Sequence, residues 1–275
     1  MTSTIIHISD THFGQSGIGI NHADDLNMLR RVIDHARETS ADAIIHTGDF
    51  FHRDDPPQTV IDDVCNVLDP KHRHVRGFND YYIPFYYIRG DYGHDINDKT
   101  TSTTGLNDLT TLSFVEMLYP PTGRTVGANS EVALLGVPAH MNPHFASSAE
   151  SIRELSFGLH KNCKFVILCI HLTLSDINTG GYMSWKNQYP ARKVLDAIEV
   201  PDSHSASSAG IDLLACGDLH SFRKERLSFP PSVRGTKVVY AGSLTGRYNG
   251  SNQTGYGAEY RIDGDQCEIV KLVPS

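Results

Sequence analysis

Residues 4–12 read TIIHISDTH (Thr4 to His12), and the way this run ends decides the fold. A β-rich apolar stretch gives way at once to an aspartate and a histidine two places apart. The same event recurs in AIIHTGD (Ala43 to Asp49), FYYIRGD (Phe85 to Asp91), FVILCIH (Phe165 to His171) and IDLLACGDLH (Ile211 to His220). In an open α/β sheet, ligands collect at the carboxyl ends of the strands. Five such endings in succession predict a metal site along one sheet edge, with Asp10, His12, Asp49, Asp91, His171, Asp218 and His220 as candidate ligands.

Composition sets the outer bounds. The 275 residues suit one domain with a substantial core, and 39% hydrophobic with 20% charged residues is the balance of an ordinary soluble globular chain. No apolar run approaches the roughly 18 residues of a membrane span. The chain enters a strand at its amino terminus with no basic leader, so a cytoplasmic location is the expectation. None of Cys65, Cys163, Cys169, Cys216 and Cys267 forms a CxxC pair, which fits buried reduced thiols. A formal net charge of −8 argues against strong unaided DNA affinity, because duplex binders carry a basic face. It does not argue against phosphate chemistry.

Outward from the five runs, strands and helices alternate. Leu26, Leu29, Val32, Ile33 and Ala36 recur at helical spacing and predict a helix over 24–39. Pro56 and Pro57 predict the start of a second, through Leu68. Residues 92–110 read as a loop or short helix, 131–137 as a strand, 146–158 and 191–198 as helices, and 201–210 as a mobile loop. Lys237 to Ala241, Tyr256 to Ile262 and Cys267 to Val273 read as strands, the last two joined by an Asp-Gly hairpin turn at Asp263 and Gly264. The expected architecture is a parallel-rich sheet joined to an antiparallel one, sandwiched between helices.

The chemistry follows from the ligand types. In extended chain Asp10 and His12 project to the same side and can share one ion. Gly48 lets the backbone turn sharply and present Asp49 at the strand end. A carboxylate has two oxygens and can bridge two cations, so Asp49 is the candidate bridge. Two divalent ions roughly 3.5–4 Å apart would activate a shared water and clamp an in-line phosphoryl displacement.

This pattern resembles the calcineurin-like metallophosphoesterase superfamily, whose motifs are DxH, GD, GNH, H and GHxH at successive strand ends. ISDTHFG (Ile8 to Gly14), GDFFHRDDP (Gly48 to Pro56) and YAGSL (Tyr240 to Leu244) are most similar to the SbcD-type nuclease subunit, the meiotic recombination 11 type of archaea and eukaryotes. The resemblance spans residues 4–273. It implies a four-layer αββα sandwich of two mixed sheets flanked by helices, in a single domain over 1–275. It also implies a first metal held by Asp10, His12, Asp49 and His220, and a second held by Asp49, Asp91, His171 and Asp218.

Three departures matter. Asp91 stands where the family has asparagine, and Asp218 where it has the first histidine of GHxH. Both fall on the second metal, leave His171 as its one nitrogen ligand, and favour manganese or magnesium over zinc. They also add negative charge where substrate phosphate must bind, unless one acid stays protonated. In GDYGHD (Gly90 to Asp95) Tyr92 occupies the register of the family's catalytic histidine, with His94 two residues on. His94 is the favoured acid for the leaving 3′ oxygen, with Tyr92 or His52 as alternatives. His7 and His46 read as structural.

The resemblance implies a manganese-dependent DNA nuclease, with 3′→5′ exonuclease and single-strand endonuclease activity, acting in double-strand break repair. Its implied partners are DNA, an SMC-like ATPase of the SbcC type and, possible in this family, a second copy of the chain; no membrane partner is expected. The resemblance also implies that the family's DNA-capping and ATPase-binding segments are absent from these residues. The acidic balance keeps open a phosphodiesterase or phosphatase on a small nucleotide or phosphoprotein, and the departures keep open a degenerate binding module.

Overall fold

The computed structural model describes residues 2–15, 21–69, 82–91, 94–95, 104–119, 123–139, 163–175, 194, 211–226, 236–245 and 255–273. The helices expected over 146–158 and 191–198, apart from the helical Val194, and the loop expected over 201–210 lie outside these residues.

The first sheet contains β1 (Ser3–Ile8), β2 (Ala43–Thr47), β3 (Phe85–Ile88), β4 (Val115–Met117), β11 (Gly257–Asp263) and β12 (Gln266–Leu272), in the order β12-β11-β1-β2-β3-β4. The second contains β5 (Arg124–Val126), β6 (Val132–Val137), β7 (Phe165–His171), β8 (Leu213–Gly217), β9 (Arg223–Arg226) and β10 (Lys237–Tyr240), in the order β5-β6-β7-β8-β10-β9. Each sheet is mixed. Strands β1 to β4 pair in parallel with one another, as do β6, β7, β8 and β10, while β11, β12, β5 and β9 pair antiparallel. These are the two mixed sheets that the resemblance implies, and they replace the parallel-rich sheet joined to an antiparallel one that the order of runs suggested. The terminal hairpin adds to the parallel sheet through β1 instead of building a layer of its own.

Strands buried on both faces read as unbroken apolar runs, and here each residue's side follows the period of two. Ile5, Ala43, Ile45 and Ile88 face the second sheet and meet Leu134, Phe165, Ile167, Leu213 and Val239. Ile6, Ile8, Ile44 and Phe85 point the other way, under α1 (His22–Glu38), α2 (Gln58–Leu68) and α3 (Thr104–Leu109). On the far face of the second sheet, Leu135, Val166, Leu168, Ile170 and Leu214 form a third apolar layer with Val194.

Helix α1 buries the five residues whose spacing predicted it, and Asn21 caps it by accepting from the Ala23 N–H at 3.1 Å. Helix α2 begins after Pro57, and α3 is the short helix allowed for within 92–110. Strands β4, β5 and β9 were not anticipated. Each has three or four residues, and β9 reads Arg-Lys-Glu-Arg, a charged edge that discourages pairing with another chain. The five cysteines are free thiols. Among the described residues no helix is long and apolar enough to cross a membrane.

The layer between the sheets should dominate stability. Ile167→Ala, at a fully buried position, should cost about 2–5 kcal/mol in chemical denaturation, whereas Lys224→Ala on the exposed β9 edge should stay within about 0.5 kcal/mol.

Candidate metal centre

The loops that leave β1 and β2 stay zipped together beyond the strands. Asp10 N–H donates to the Gly48 carbonyl (3.1 Å), His12 N–H to Asp49 (3.0 Å), Phe13 N–H to Phe50 (2.9 Å) and His52 N–H to Phe13 (3.0 Å). This ladder holds backbone that L-residues otherwise resist. Asp10, His12, Asp49 and Asp218 all have positive φ, at 50°, 46°, 55° and 82°. Sparsely populated conformations of this kind gather at functional sites and cost on the order of 1 kcal/mol or more each. Asp10 and His12 do converge, but through these turned conformations and not through the extended chain that their spacing suggested.

The second sheet meets the first at this rim. The His171 ring at the end of β7 donates from Nδ1 to the Thr47 carbonyl at 2.6 Å, which turns Nε2 to within 3.4 Å of Asp49 Oδ1. The Asp218 N–H reaches Asp10 Oδ1 at 3.2 Å. Two glycines make the approach possible. Gly48 has φ 95°, and a Cβ there would stand 2.4 Å from His171 Nδ1; a Cβ on Gly217 would stand 2.1 Å from the Thr47 carbonyl oxygen. The Ser243 hydroxyl, in the turn after β10, donates to the Asp10 carbonyl at 2.8 Å.

Around Asp49 the side chains sort into two sets. Oδ1 accepts the Asp91 N–H (2.7 Å) and faces His171, while Oδ2 lies 3.8 Å from both His12 Nε2 and His94 Nε2. On the Oδ2 side His12 Nε2 stands 3.5 Å from His220 Nε2, which is itself 3.5 Å from Asp10 Oδ1. Donor atoms of Asp10, His12 and His220 lie within 4.8 Å of one another, as do those of Asp10, Asp49 and His171, those of Asp91, His171 and Asp218, and those of His12, His52 and His94. The buried Asp10 Oδ2 has no hydrogen-bond partner among the described residues. Carboxylates and imidazoles aimed at one another, with one oxygen left over, form a donor set that divalent cations satisfy.

All seven candidate ligands and both candidate acids, His94 and His52, therefore gather at one rim. His94 is the candidate acid that comes within 4 Å of Asp49. Its Nδ1 bonds the His52 carbonyl at 2.8 Å, and its Nε2 points at Asp49. Tyr92 lies outside the described residues. His7 and His46 sit in the core, His7 between the Tyr260 hydroxyl (2.5 Å) and the Thr47 hydroxyl (2.8 Å), and His46 against the Thr11 hydroxyl (3.1 Å). Thr47, Thr173, Ser243 and Asp95 carried no signal in the sequence. Thr173 donates to Asp218 Oδ2 at 2.5 Å, so the extra carboxylate of the second set has a built-in partner.

Burial and mutual charge split the ionisations. Burial lifts Asp10 to about 8, with Asp49 and Asp218 adding to the lift and His171 opposing it. Burial also raises Asp218, against His171 and Thr173. At Asp49 burial is overridden by His171, His12 and His94, and the carboxyl falls well below its usual range. At His171 burial is likewise overridden by Asp49, Asp10 and Asp91, which hold its proton. Burial drives His12 down to about 3 and His220 to about 4. Neutral His12 and His220 have lone pairs ready for a cation, and a cation would take the place of the His171 proton.

A sequence model of the family described as calcineurin-like phosphoesterase matches residues 3–222. DNA double-strand break repair protein Mre11 of Sulfurisphaera tokodaii is 31% identical over 175 residues, 63% of this chain and 41% of that protein. Its namesake in Sulfolobus acidocaldarius is 26% identical over 225 residues, 81% of this chain and 51% of that protein. The chain thus spans about half or less of these relatives. Among solved structures, a dimetal phosphatase from Danio rerio superposes with a TM-score of 0.55 at 12% identity over 99% of both chains, a likeness of fold.

The ionisations predict how the chelator-treated protein responds to pH. Asp10, Asp218 and His171 all have folded pKa values above their unfolded ones, so each contributes stability at low pH that is lost as the pH climbs through the folded value. Neutral His12 and His220 oppose this below about pH 7, where their unfolded imidazoles bind protons that the folded ones do not. Thermal unfolding with chelator present should therefore shift down between about pH 7 and about pH 9, by about 2–4 °C for each kcal/mol lost. Added manganese should flatten that slope.

Proposed function

The chain belongs to the calcineurin-like phosphoesterase family, and within it we propose a manganese-dependent DNA nuclease that hydrolyses phosphodiester bonds with two cations. The observation that carries the hydrolytic reading is Asp49, whose two oxygens face two different sets of donors. The names of these relatives support DNA as the substrate and break repair as the role; an intracellular setting beside an SMC-like ATPase is supported by the resemblance of the motifs to the SbcD-type subunit.

In this reading Asp10, His12, Asp49 and His220 hold the first ion, and Asp49, Asp91, His171 and Asp218 hold the second. Bound, the pair polarises the phosphate and lowers the pKa of water. The oxygen-rich second set favours a hard ion, manganese or magnesium, over zinc. The protein's own groups do the rest. The Thr47 carbonyl fixes the His171 ring, and the Ser243 hydroxyl fixes the Asp10 backbone. Burial, opposed by His171 and by the Thr173 hydroxyl that donates to it, raises Asp218 and so eases the negative charge that it adds near the substrate phosphate. His94, held through Nδ1 by the His52 carbonyl, keeps Nε2 toward the site, where it can pass a proton to the leaving 3′ oxygen.

The net charge of −8 favours a second reading, a phosphodiesterase on a small nucleotide. Labelled single- and double-stranded DNA and bis-p-nitrophenyl phosphate, each with manganese, separate the two. The nuclease reading expects cleavage of both substrate types; turnover of the small ester alone would replace it with the second. Asp49→Asn should lose about 10³-fold or more on either substrate, and survival of its activity within tenfold would end both readings. His94→Gln should lower turnover about 10²–10⁴-fold and leave manganese stoichiometry unchanged.

A further inference from the structure

Asp95 is buried and belongs to none of the candidate ligand sets, yet its carboxylate accepts from backbone of two loops that carry proposed ligands. Oδ1 accepts the N–H of Phe50 (3.0 Å) and of Phe51 (3.1 Å), and Oδ2 accepts the N–H of Phe50 (3.1 Å) and of Gly90 (2.8 Å). Phe50 directly follows Asp49, and Gly90 directly precedes Asp91. One side chain therefore grips the loops after β2 and β3 at the residues adjoining two proposed ligands. The same turn carries His94: the N–H groups of His94 and Asp95 both donate to the Asp91 carbonyl at 3.2 Å.

We propose that Asp95 is a positioning residue, a buried carboxylate clamp that sets the spacing between Asp49 and Asp91 and anchors His94 over them. The proposal rests on the two-cation reading of the site. Only an ionised carboxylate suits the position. Its oxygens accept from three backbone donors in two loops, whereas an asparagine amide would turn an N–H₂ toward Gly90 or toward Phe50 and Phe51. The clamp lies outside any cation's own shell, so its loss should disturb the relation between the ions more than the fold around them.

The test compares wild type, Asp95→Asn and Glu259→Gln. Glu259 is also a buried carboxylate, bonded to His35 (2.7 Å) and Arg261 (2.6 Å) between α1 and β11, so Glu259→Gln calibrates the loss of such a group elsewhere. Manganese affinity and stoichiometry, the electron paramagnetic resonance signal of the coupled ion pair, and turnover of bis-p-nitrophenyl phosphate are read below the unfolding temperature of each protein. Wild type should bind two ions with a coupled signal. Asp95→Asn should weaken the second ion about 10–100-fold, lose the coupled signal, and keep low kcat at saturating manganese. Glu259→Gln should match wild type in all three. Failure of wild type to bind two ions would sink the reading of the site itself. A wild-type pair left intact in Asp95→Asn, with turnover equal to that of Glu259→Gln, would overturn the clamp alone. If Asp95→Asn does not fold, Asp95→Glu decides, because its longer stem shifts where both loops are gripped: a lost coupled signal supports the clamp and an intact one overturns it. Failure of both to fold would make Asp95 a folding determinant only, and would equally overturn the proposal.

Discussion

The rim of the two sheets is organised by the repulsion of buried like charges. Asp10, Asp49, Asp91 and Asp218 each bring a carboxylate oxygen within 4.8 Å of a His171 ring nitrogen, and water cannot solvate them fully because Asp10 and Asp49 are buried. In such a place a carboxylate must be protonated, paired or bound to a cation. The protein divides these outcomes: Asp10 and Asp218 are driven toward the neutral form, and Asp49 toward the ionised form by the imidazoles around it. The proposed chemistry is the third outcome, in which two ions replace the protons. An arrangement costly to the fold is thereby turned into affinity for the ions.

The backbone makes a parallel investment. Four of the residues at the rim adopt positive φ, held by the ladder that joins the loops after β1 and β2 and by the cross-links from His171 and Asp218. Preorganisation of this kind means that donors need not be gathered when ligand arrives. It also explains why Gly48 and Gly217 sit where they do, since any side chain there would occupy the space in which the ends of the two sheets touch.

Much of this was legible in the sequence because interior parallel strands are buried on both faces. Such strands write themselves as unbroken apolar runs, and a charged residue at the end of each stands out, as Asp49 and His171 do. The edge strands β4, β5 and β9 left no such mark: three or four residues each, with only Val115 and Val126 buried among those described, carry too little pattern to separate from loop. Spacing also misled at Asp10 and His12, where an extended chain was the natural inference and tertiary hydrogen bonds imposed a turn. The supporting groups were invisible for a different reason. Thr47 acts through a backbone carbonyl and Asp95 through backbone N–H groups, and neither role constrains which residues stand nearby in the chain.

Each half of the sandwich supplies part of what meets at the rim, Asp10, Asp49 and Asp91 from one leaf and His171 and Asp218 from the other. A slide of one leaf over its neighbour would stretch the bond from His171 to Thr47 and the bond from Asp218 to Asp10 together. The separation of the donors is therefore a gauge of interlayer shear, and a substitution deep between the leaves can detune the rim without touching it.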